Sequence, residues 1–304
     1  MLTTKKRYVS PGRMASDSPW IYLAFTLLSL IFLIPLLYIL SISFQNEMQI
    51  QKQGYQLIPR FVDLTAYKFV LQNSEQILNS YQTTIFYSVV GTVLSVLIMS
   101  GVAYALAQKS FRLRSPITFF VFFTMLFSGG LVPSYILITQ YLHLGNTIWV
   151  YIVPGLANAF SILLLRTYFA ALPDSIMEAG RIDGASEFRM LFSIAFPLST
   201  PAIATIAFLG LLGRWNDFFT SLMYIQDQKL YSLQYLLQKI LGDAQFLRAN
   251  FGSLPDELRA QLMRLPDNSA RMAICLIVAG PMLVIFPFFQ KYFVKGLTIG
   301  SIKG

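Results

Sequence analysis

The charged residues of this chain are unevenly spaced, and the gaps between them predict its architecture. Five windows contain no Asp, Glu, Lys or Arg: 18–46, 76–108, 115–165, 190–213 and 272–290. A helix that spans a bilayer needs about 20 mostly apolar residues. Four windows therefore fit one span each, and the third, which a polar turn at 141–146 divides, fits two. We predict an all-α integral membrane protein with six spans. The predicted spans are 20–44, 82–108, 116–140, 147–170, 199–225 and 271–291.

Composition supports a membrane protein over a soluble one. Apolar and aromatic residues make up 55% of the chain and charged residues 12%, about half the usual charged share of soluble domains. The net charge of +9 would suggest nucleic acid in a soluble protein. In a membrane protein, basic loops mark the cytoplasmic side instead. We therefore expect membrane lipid around the chain and no nucleic acid partner.

The positions of the basic residues predict the orientation. Lys and Arg are concentrated in the N-terminal tail, in the loop after span 2 and in the C-terminal tail, whereas the loop between spans 3 and 4 has none. Short loops rich in Lys and Arg stay in the cytoplasm. We predict a multi-pass protein with both termini in the cytoplasm.

The sequence lacks the groups that most soluble enzymes use. It has one histidine, His143, and one cysteine, Cys275, so a multi-histidine zinc site or a paired-cysteine site is excluded. No glycine is followed by lysine, so the phosphate loop of P-loop ATPases is absent. Acidic residues are nearly absent from the spans, which disfavours an ion-coupled carrier. We predict a chain that is not an enzyme and binds no metal or cofactor itself.

The loop between spans 4 and 5, residues 172–198, has the most informative local pattern. Ser175 and Glu178 have the spacing of a capping box that begins a helix, and Gly184 can end that helix in a left-handed conformation. Residues 185–196 predict a second, amphipathic helix. Its predicted apolar face comprises Phe188, Leu191, Phe192 and Ala195. Two short helices joined by a tight turn form a shape that can dock into a groove of a cytoplasmic partner.

This loop resembles the EAA loop of bacterial ABC importer permeases. The family pattern is Glu-Ala-Ala, three residues, Gly, nine residues, Ile, one residue, and Leu-Pro. The chain keeps this spacing throughout, with Gly180 in place of alanine and Phe196 in place of leucine. The matching residues are Glu178, Ala179, Gly180, Gly184, Ile194, Phe196 and Pro197. Residues 178–186, 215–218 and 296–304 resemble the carbohydrate-uptake branch, where the chain is similar to the second permease subunit of maltose transporters and to complex-oligosaccharide permeases.

The resemblance implies a binding-protein-dependent importer in a bacterial cytoplasmic membrane. This chain would form half of an oligosaccharide pathway with a second six-span permease subunit. Two cytoplasmic ABC ATPase subunits would hold ATP and Mg, and an extracytoplasmic solute-binding protein would deliver the sugar. The implied domains are a cytoplasmic tail (1–19), a permease domain (20–292) with its importer core at about 77–292, and a second cytoplasmic tail (293–304).

The same resemblance assigns ATPase coupling to one group of residues. They are Glu178, Ala179, Gly180, Arg181, Asp183, Gly184, Ala185 and Pro197 in the loop, and Gly300 and Lys303 in the C-terminal tail. A simpler interpretation of Glu178 and Arg181 is an ordinary i,i+3 surface ion pair. The complete pattern favours coupling.

Span 5 contains four polar or aromatic residues that are candidates for lining or gating the pathway: Arg214, Trp215, Asn216 and Asp217. Charged side chains within a span are costly unless they are paired or face water. The i,i+3 spacing would let Arg214 and Asp217 pair with each other, while Trp215 and Asn216 offer a sugar-stacking ring and an amide. A structural ion pair that locks span 5 against the partner permease explains the pattern equally well.

Three other functions remain open from the sequence. The same architecture could carry another polar solute, such as a polyol or glycerol phosphate. A membrane docking or sensor subunit could use the loop to bind a cytoplasmic protein without moving solute. A secondary carrier would require an ion gradient.

Overall fold

The computed structural model describes residues 19–59, 61–71, 74–250 and 267–300. All regular structure in these ranges is helical. Before the third predicted span the helices are α1 (Pro19–Ser43), α2 (Glu47–Gln53), α3 (Thr65–Leu71) and α4 (Ser74–Ala107). They are followed by α5 (Arg114–Leu126), α6 (Leu131–Tyr141), α7 (Ala159–Ala170), α8 (Asp174–Ile182) and α9 (Glu187–Leu198). The last helices are α10 (Thr200–Trp215), α11 (Phe219–Tyr224), α12 (Leu233–Ala249) and α13 (Asp267–Gly300).

Three helices are long and apolar enough to cross a membrane alone: α1, α4 and α13. Three bent pairs satisfy the same test, namely α5 with α6, α7 with α8, and α9 with α10. The bends within these pairs are 113°, 79° and 85°. The described residues therefore contain three clear spans, and up to six if each bent pair counts as one. The predicted first, second and last spans each correspond to one continuous helix.

The predicted fourth span is wrong as a continuous helix over 147–170. Its first part is a short 3-10 helix, Ile148–Tyr151, and the α-helix begins only at Ala159. Pro154 and Gly155 lie between them. Proline lacks an amide donor and glycine is a poor helix former, so this pair favours irregular backbone. The side chain of Asn158 then begins α7 by accepting a hydrogen bond from the Ser161 amide at 3.0 Å.

The predicted fifth span, 199–225, is also interrupted. Helix α10 ends at Trp215 and α11 begins at Phe219. Asn216 donates its side-chain amide to the Leu212 carbonyl, and the Asp217 carboxylate accepts from the Thr220 amide. Side chains of Asn and Asp that bond to nearby backbone compete with helical hydrogen bonds, which explains a break at this point.

Among the described residues, 19–59, 61–70 and 267–276 form one compact unit. Within it, α1 exposes nearly all of its apolar side chains, from Trp20 to Leu37. The buried carboxylate of Glu47 accepts hydrogen bonds from the backbone amides of Asn268 and Ser269 at 3.0 and 3.2 Å. These amides lie in the first turn of α13, where donors have no partner within the helix. Glu47 thus caps the start of the last helix.

The second compact unit contains residues 71–262 and 277–300 of the described chain. Its core forms where α4 packs against α7 and α10. Val96, Met99, Leu165 and Ile206 are among the buried residues of this core. The buried face of α4 also carries small polar residues, which let membrane helices approach closely. They include Ser80, Thr84, Ser88, Thr92, Ser95 and Ser100.

Candidate functional site

Helices α8 and α9 form a hairpin whose turn contains Gly184. The Gly184 amide donates to the Arg181 carbonyl and the Ala185 amide donates to the Gly180 carbonyl, both at 3.0 Å. These two bonds are the Schellman motif that ends a helix. Gly184 has φ +73°, a conformation that costs an L-residue roughly 1–2 kcal/mol. The predicted left-handed stop at Gly184 is confirmed.

Three side-chain contacts fix this hairpin to the end of α4 and the loop after it. Lys109 forms an ion pair with Asp174 at 3.0 Å, at the start of α8. At the other end of α8, the Arg181 guanidinium donates to Gln108 at 2.6 Å. The Glu187 carboxylate of α9 accepts from the Tyr104 hydroxyl at 2.7 Å. The hairpin is therefore held at both ends, so a force applied to it would reach α4.

The simple pairing of Glu178 with Arg181 is not formed. The carboxylate nearest to Arg181 in the described chain belongs to Glu187, with Nε and Oε1 3.9 Å apart. Arg181 also bonds to Gln108, so its side chain is directed toward the end of α4 rather than along α8. Glu178 is exposed and has no ion-pair partner among the described residues.

Gly180 allows α8 to lie directly on α9. A Cβ atom at this position would lie 2.6 Å from the Met190 sulfur and 2.9 Å from Cδ1 of Ile194. A Cβ atom essentially never lies this close to another heavy atom, and Met190 is fully buried. The departure from alanine in the EAA pattern therefore has a packing cause.

Two details of the predicted hairpin are wrong. Helix α8 begins at Asp174 with Pro173 before it, and no side chain caps its start, so the capping box of Ser175 is not formed. Helix α9 begins at Glu187 after the cap of Ser186 and contains a π-helical stretch over Met190–Ala195. A π-helix bonds residues five apart, so Met190 and Ala195 are both fully buried while Phe188 is 78% exposed. Of the predicted apolar face, Leu191 and Ala195 are buried, whereas Phe188 and Phe192 are exposed, because the prediction assumes α-helical spacing throughout.

The hairpin exposes two large apolar side chains, one on each side of its turn. Ile182 is 85% exposed and Phe188 is 78% exposed, and Gly184 lies between them in the chain. The coupling candidates Glu178, Ala179 and Asp183 are also exposed, whereas Ala185 is half-buried. Pro197 lies in the last turn of α9, Gly300 is the last residue of α13, and Lys303 lies outside the described residues.

A cavity of about 610 Å³ lies beside the break between α10 and α11. Arg214 and Asp217 both line it, so the structure brings these two predicted pathway residues to one site. Asn216 does not line it, and its amide is bonded to Leu212. Trp215 points elsewhere: it is 3% exposed and its indole N–H donates to the Val278 carbonyl at 3.0 Å. Its ring is therefore not a stacking surface for a sugar.

The Arg214 guanidinium occupies a slot formed by three glycines. A Cβ atom at Gly91 of α4 would lie 2.7 Å from Arg214 Nε, and one at Gly155 would lie 3.4 Å from Nη2. A Cβ atom at Gly210, in α10, would lie 3.3 Å from Nη1. The guanidinium thus fits between three segments of the chain because none of these residues has a side chain.

Arg214 bonds to backbone rather than to Asp217. Nη2 donates to the Gly155 carbonyl at 2.7 Å and Nη1 donates to the Gly210 carbonyl at 3.3 Å. The backbone carbonyl of Arg214 accepts from the Tyr87 hydroxyl at 3.0 Å. No Arg214–Asp217 ion pair occurs among the described residues, so the predicted mutual pair is wrong. Arg214 links α10 to the irregular segment before α7.

Sequence reasoning missed the other polar residues of the cavity, which include Ser95, Asn158, Ser161 and Thr220. They belong to α4, to the start of α7 and to α11, and no spacing in the sequence relates them. The glycines within the predicted spans, Gly91 and Gly210, were the available signal, because a glycine costs a helix about 1 kcal/mol and needs a packing reason.

Both the sequence and the fold of this chain are similar to those of known transport proteins. The sequence profile of the binding-protein-dependent transport system inner membrane component matches residues 18–299, nearly the whole chain. The chain belongs to that family. Members of this binding-protein-dependent transport family are permease subunits of ABC transporters and are non-catalytic membrane components.

Individual relatives of the chain agree with this assignment. It is 35% identical to Protein LplC of Bacillus subtilis over 90% of each chain. It is 32% identical to the polygalacturonan/rhamnogalacturonan transport system permease protein YtcP of Bacillus subtilis, over 93% of this chain and 97% of that one. A solved structure, a bacterial ABC transporter involved in import of the acidic polysaccharide alginate, matches with a TM-score of 0.77 and 31% identity. It covers 93% of this chain and 100% of that one.

Proposed function

We propose that this chain forms half of the membrane pathway of an oligosaccharide importer, with a second six-span permease as its partner. Support comes from relatives whose names specify polygalacturonan, rhamnogalacturonan and arabinooligosaccharides, together with the alginate importer structure. A solute-binding protein on the outer side delivers the sugar, as the family description implies. Two cytoplasmic ATPase subunits hold ATP and Mg. This chain itself has no phosphate-binding loop.

The α8–α9 hairpin couples the pathway to the ATPase subunits. The observation that carries this proposal is the pair of exposed apolar side chains, Ile182 and Phe188, that flank the turn at Gly184. Large apolar side chains that are exposed to water on a cytoplasmic loop indicate a surface that binds another protein. The three contacts that fix the hairpin to the end of α4 and to the loop after it connect this partner-binding surface to the spans. Gly300 and Lys303 form a second contact with the same subunits.

The Arg214 cavity is a part of the sugar pathway. Its lining combines the Asp217 carboxylate with the side chains of Asn158 and Ser161. Groups of this kind bond to sugar hydroxyls. Arg214 holds the walls of the cavity at fixed positions through the Gly155 and Gly210 carbonyls.

Both termini and the hairpin lie in the cytoplasm, and the tails flank a permease domain at 20–292 whose importer core begins near residue 77. The basic loop after α4 supports this orientation through the positive-inside rule. The natural chain has a single cysteine, so Cys275→Ala gives a clean background. In that background Arg189→Cys, an exposed position of α9, should react with a membrane-impermeant thiol reagent only in inverted vesicles. Labelling from outside intact cells would reverse the orientation.

Purification of the tagged chain from native membranes tests the coupling proposal. Mass identification should recover an ATPase subunit and a second permease with the wild-type chain. Glu178→Lys and Gly184→Val should lose the ATPase and retain the second permease. The matched controls are Asp243→Lys and Gly242→Val, at exposed positions of α12, and they should retain both. The coupling proposal would be refuted if the wild-type chain elutes alone, or if Glu178→Lys and Gly184→Val both retain the ATPase.

ATP-driven uptake with a panel of solutes tests the substrate class. Neutral oligosaccharides, uronate oligosaccharides, polyols and glycerol phosphate should each be supplied to cells that contain the importer. We expect uptake of an oligosaccharide that depends on ATP and on Asp217. Uptake of only a polyol or glycerol phosphate would leave the architecture intact and change the solute. Uptake that requires an ion gradient would indicate a carrier, and no uptake by an ATPase-bound complex would indicate a docking subunit.

A further inference from the structure

A second cavity, of about 780 Å³, lies between the loop after α4, the start of α5 and the helix α7. Three arginines line it: Arg112 and Arg114 from the loop and the start of α5, and Arg166 from α7. Its lining contains no acidic residue. No carboxylate of the described residues lies within 4 Å of these guanidinium groups. The cavity therefore concentrates positive charge that the described chain does not neutralise.

Arg166 is fixed in a way that directs its free donors into the cavity. Its Nε donates to the Leu106 carbonyl at the end of α4, at 3.2 Å. The side chain is half-buried, and its two Nη groups have no hydrogen-bond partner among the described residues. Those two groups form the fork that binds phosphate with two parallel bonds. The 13-residue helix α5 begins at this cavity, and no side chain caps its start. A helix N-terminus carries the positive end of the helix dipole, which also favours an anion.

The cavity continues into an apolar surface along α5. Phe119, Phe122 and Leu163 line its inner side, and Phe119 is 68% exposed. The exposed large apolar side chains of α5 continue from Phe119 to Leu126, the last residue of the helix. Eight residues at 1.5 Å each make a track of roughly 12 Å. One leaflet of the hydrocarbon core is about 15 Å thick, half of the bilayer value.

We propose that this cavity binds an anionic phospholipid, with its phosphate on Arg112, Arg114 and Arg166 and an acyl chain along α5. Charge complementarity selects an anion, and the apolar track beside the arginines selects a lipid over a free phosphate. Basic pockets between spans on the cytoplasmic side are known to bind anionic headgroups. The bound lipid would stabilise the junction of α4, α5 and α7, next to the loop that contacts the α8–α9 hairpin through Lys109.

The test uses the complex purified through a tag on this chain, stripped of lipid and titrated with phosphatidylglycerol in phosphatidylcholine nanodiscs. Native mass spectrometry measures the lipid that each complex retains. The wild-type complex should bind phosphatidylglycerol in clear preference to phosphatidylcholine. Each arginine near an anionic surface contributes about 5-fold in affinity. The Arg112→Gln/Arg114→Gln variant should therefore lose about 30-fold, and Arg166→Gln should weaken binding independently.

Lys109→Gln is the matched control. Lys109 is exposed, lies in the same loop and does not line the cavity. If any basic surface residue attracts the lipid, Lys109→Gln should lower the affinity for phosphatidylglycerol as much as the loss of one arginine does. That result would overturn the proposal. Equal retention of phosphatidylglycerol by wild type and the double variant would overturn it too.

Further measurements on the wild-type complex keep the proposal testable if a variant fails to assemble. Short-chain phosphatidylglycerol should bind more weakly than the long-chain lipid, because it leaves the α5 track empty. Equal binding of both, or displacement of the lipid by inorganic phosphate at matched concentration, would identify a free-anion site instead. If the double variant loses a partner protein while the wild-type complex shows no lipid preference, the cavity is a protein interface and the proposal is wrong.

Discussion

The α8–α9 hairpin and the Arg214 cavity are built in opposite ways. The hairpin is made by bonds between near neighbours, such as those from Gly184 to Arg181 and from Ala185 to Gly180. The cavity is made by contacts across long stretches of chain, such as those of Arg214 with Gly155 and of Tyr87 with Arg214. The hairpin is exposed at its tip, whereas the Arg214 side chain is half-buried and lies against three glycines. We therefore expect changes at the hairpin tip to affect partner binding, and changes at the cavity to affect folding of the chain.

Replacing Arg214 should have the largest effect on stability. Arg214→Gln removes two charged donors from the carbonyls of Gly155 and Gly210. The lost bonds and the unfilled slot should lower the free energy of unfolding by about 3 kcal/mol. Arg214→Lys should be nearly as damaging, because lysine keeps the charge but not the planar fork. Unfolding of the purified chain in detergent measures both variants.

Arg189→Gln is the control for Arg214. Arg189 is an exposed arginine of α9, so its replacement should change stability by less than about 0.5 kcal/mol. If Arg214→Gln unfolds like Arg189→Gln, the guanidinium does not hold the three segments together. If Arg214→Gln keeps its stability and loses uptake, Arg214 acts on the solute instead.

The contrast between the two regions also shows what the sequence could predict. The first, second and last spans, the hairpin and the stop at Gly184 follow from local patterns, namely apolar windows, glycine and the EAA spacing. The pairing of Arg214 with Asp217 is wrong because i,i+3 spacing places two side chains together only within a continuous helix, and this helix ends at Trp215. The true partner, Gly155, is distant in the chain, and no periodicity indicates it.

Gly180→Ala should have the second largest effect. The added Cβ would lie 2.6 Å from the sulfur of the buried Met190. Overpacking of this kind costs about 2 kcal/mol, which exceeds the helix propensity gained from alanine. Met190→Ala should relieve the clash, so the double variant should be less destabilised than the sum of the two single variants. A double-mutant cycle measures this coupling, and strict additivity would show that α8 does not rest on Met190.

Gly184→Ala should cost less in stability, about 1 kcal/mol, because no atom lies near its Cβ and only the left-handed backbone is strained. Gly184→Asn should cost less still, since asparagine tolerates this conformation better. Gly242→Ala, in α12 with open space around it, is the matched control and should not destabilise the chain. Gly184→Ala should therefore destabilise the chain more than Gly184→Asn. The reverse order would show that side-chain size at the turn, rather than backbone strain, determines stability.

The smallest net effect should be that of Gly91→Ala, because two opposing terms nearly cancel. Alanine stabilises a helix interior by about 1 kcal/mol over glycine. The contact of its Cβ with Arg214 Nε at 2.7 Å costs about 1 kcal/mol, the low end for overpacking, because a long side chain can move aside. Gly101→Ala lies in the same helix with nothing within 4 Å of its Cβ, so it should show the favourable term alone. The difference in unfolding free energy between Gly101→Ala and Gly91→Ala then isolates the cost of closing the slot. In an Arg214→Gln background that difference should shrink, because glutamine lacks Nη1 and Nη2, whose bonds to the Gly210 and Gly155 carbonyls hold the side chain beside Gly91, and so it can move away from α4. A difference that persists unchanged would show that Gly91 is required by a neighbour other than Arg214.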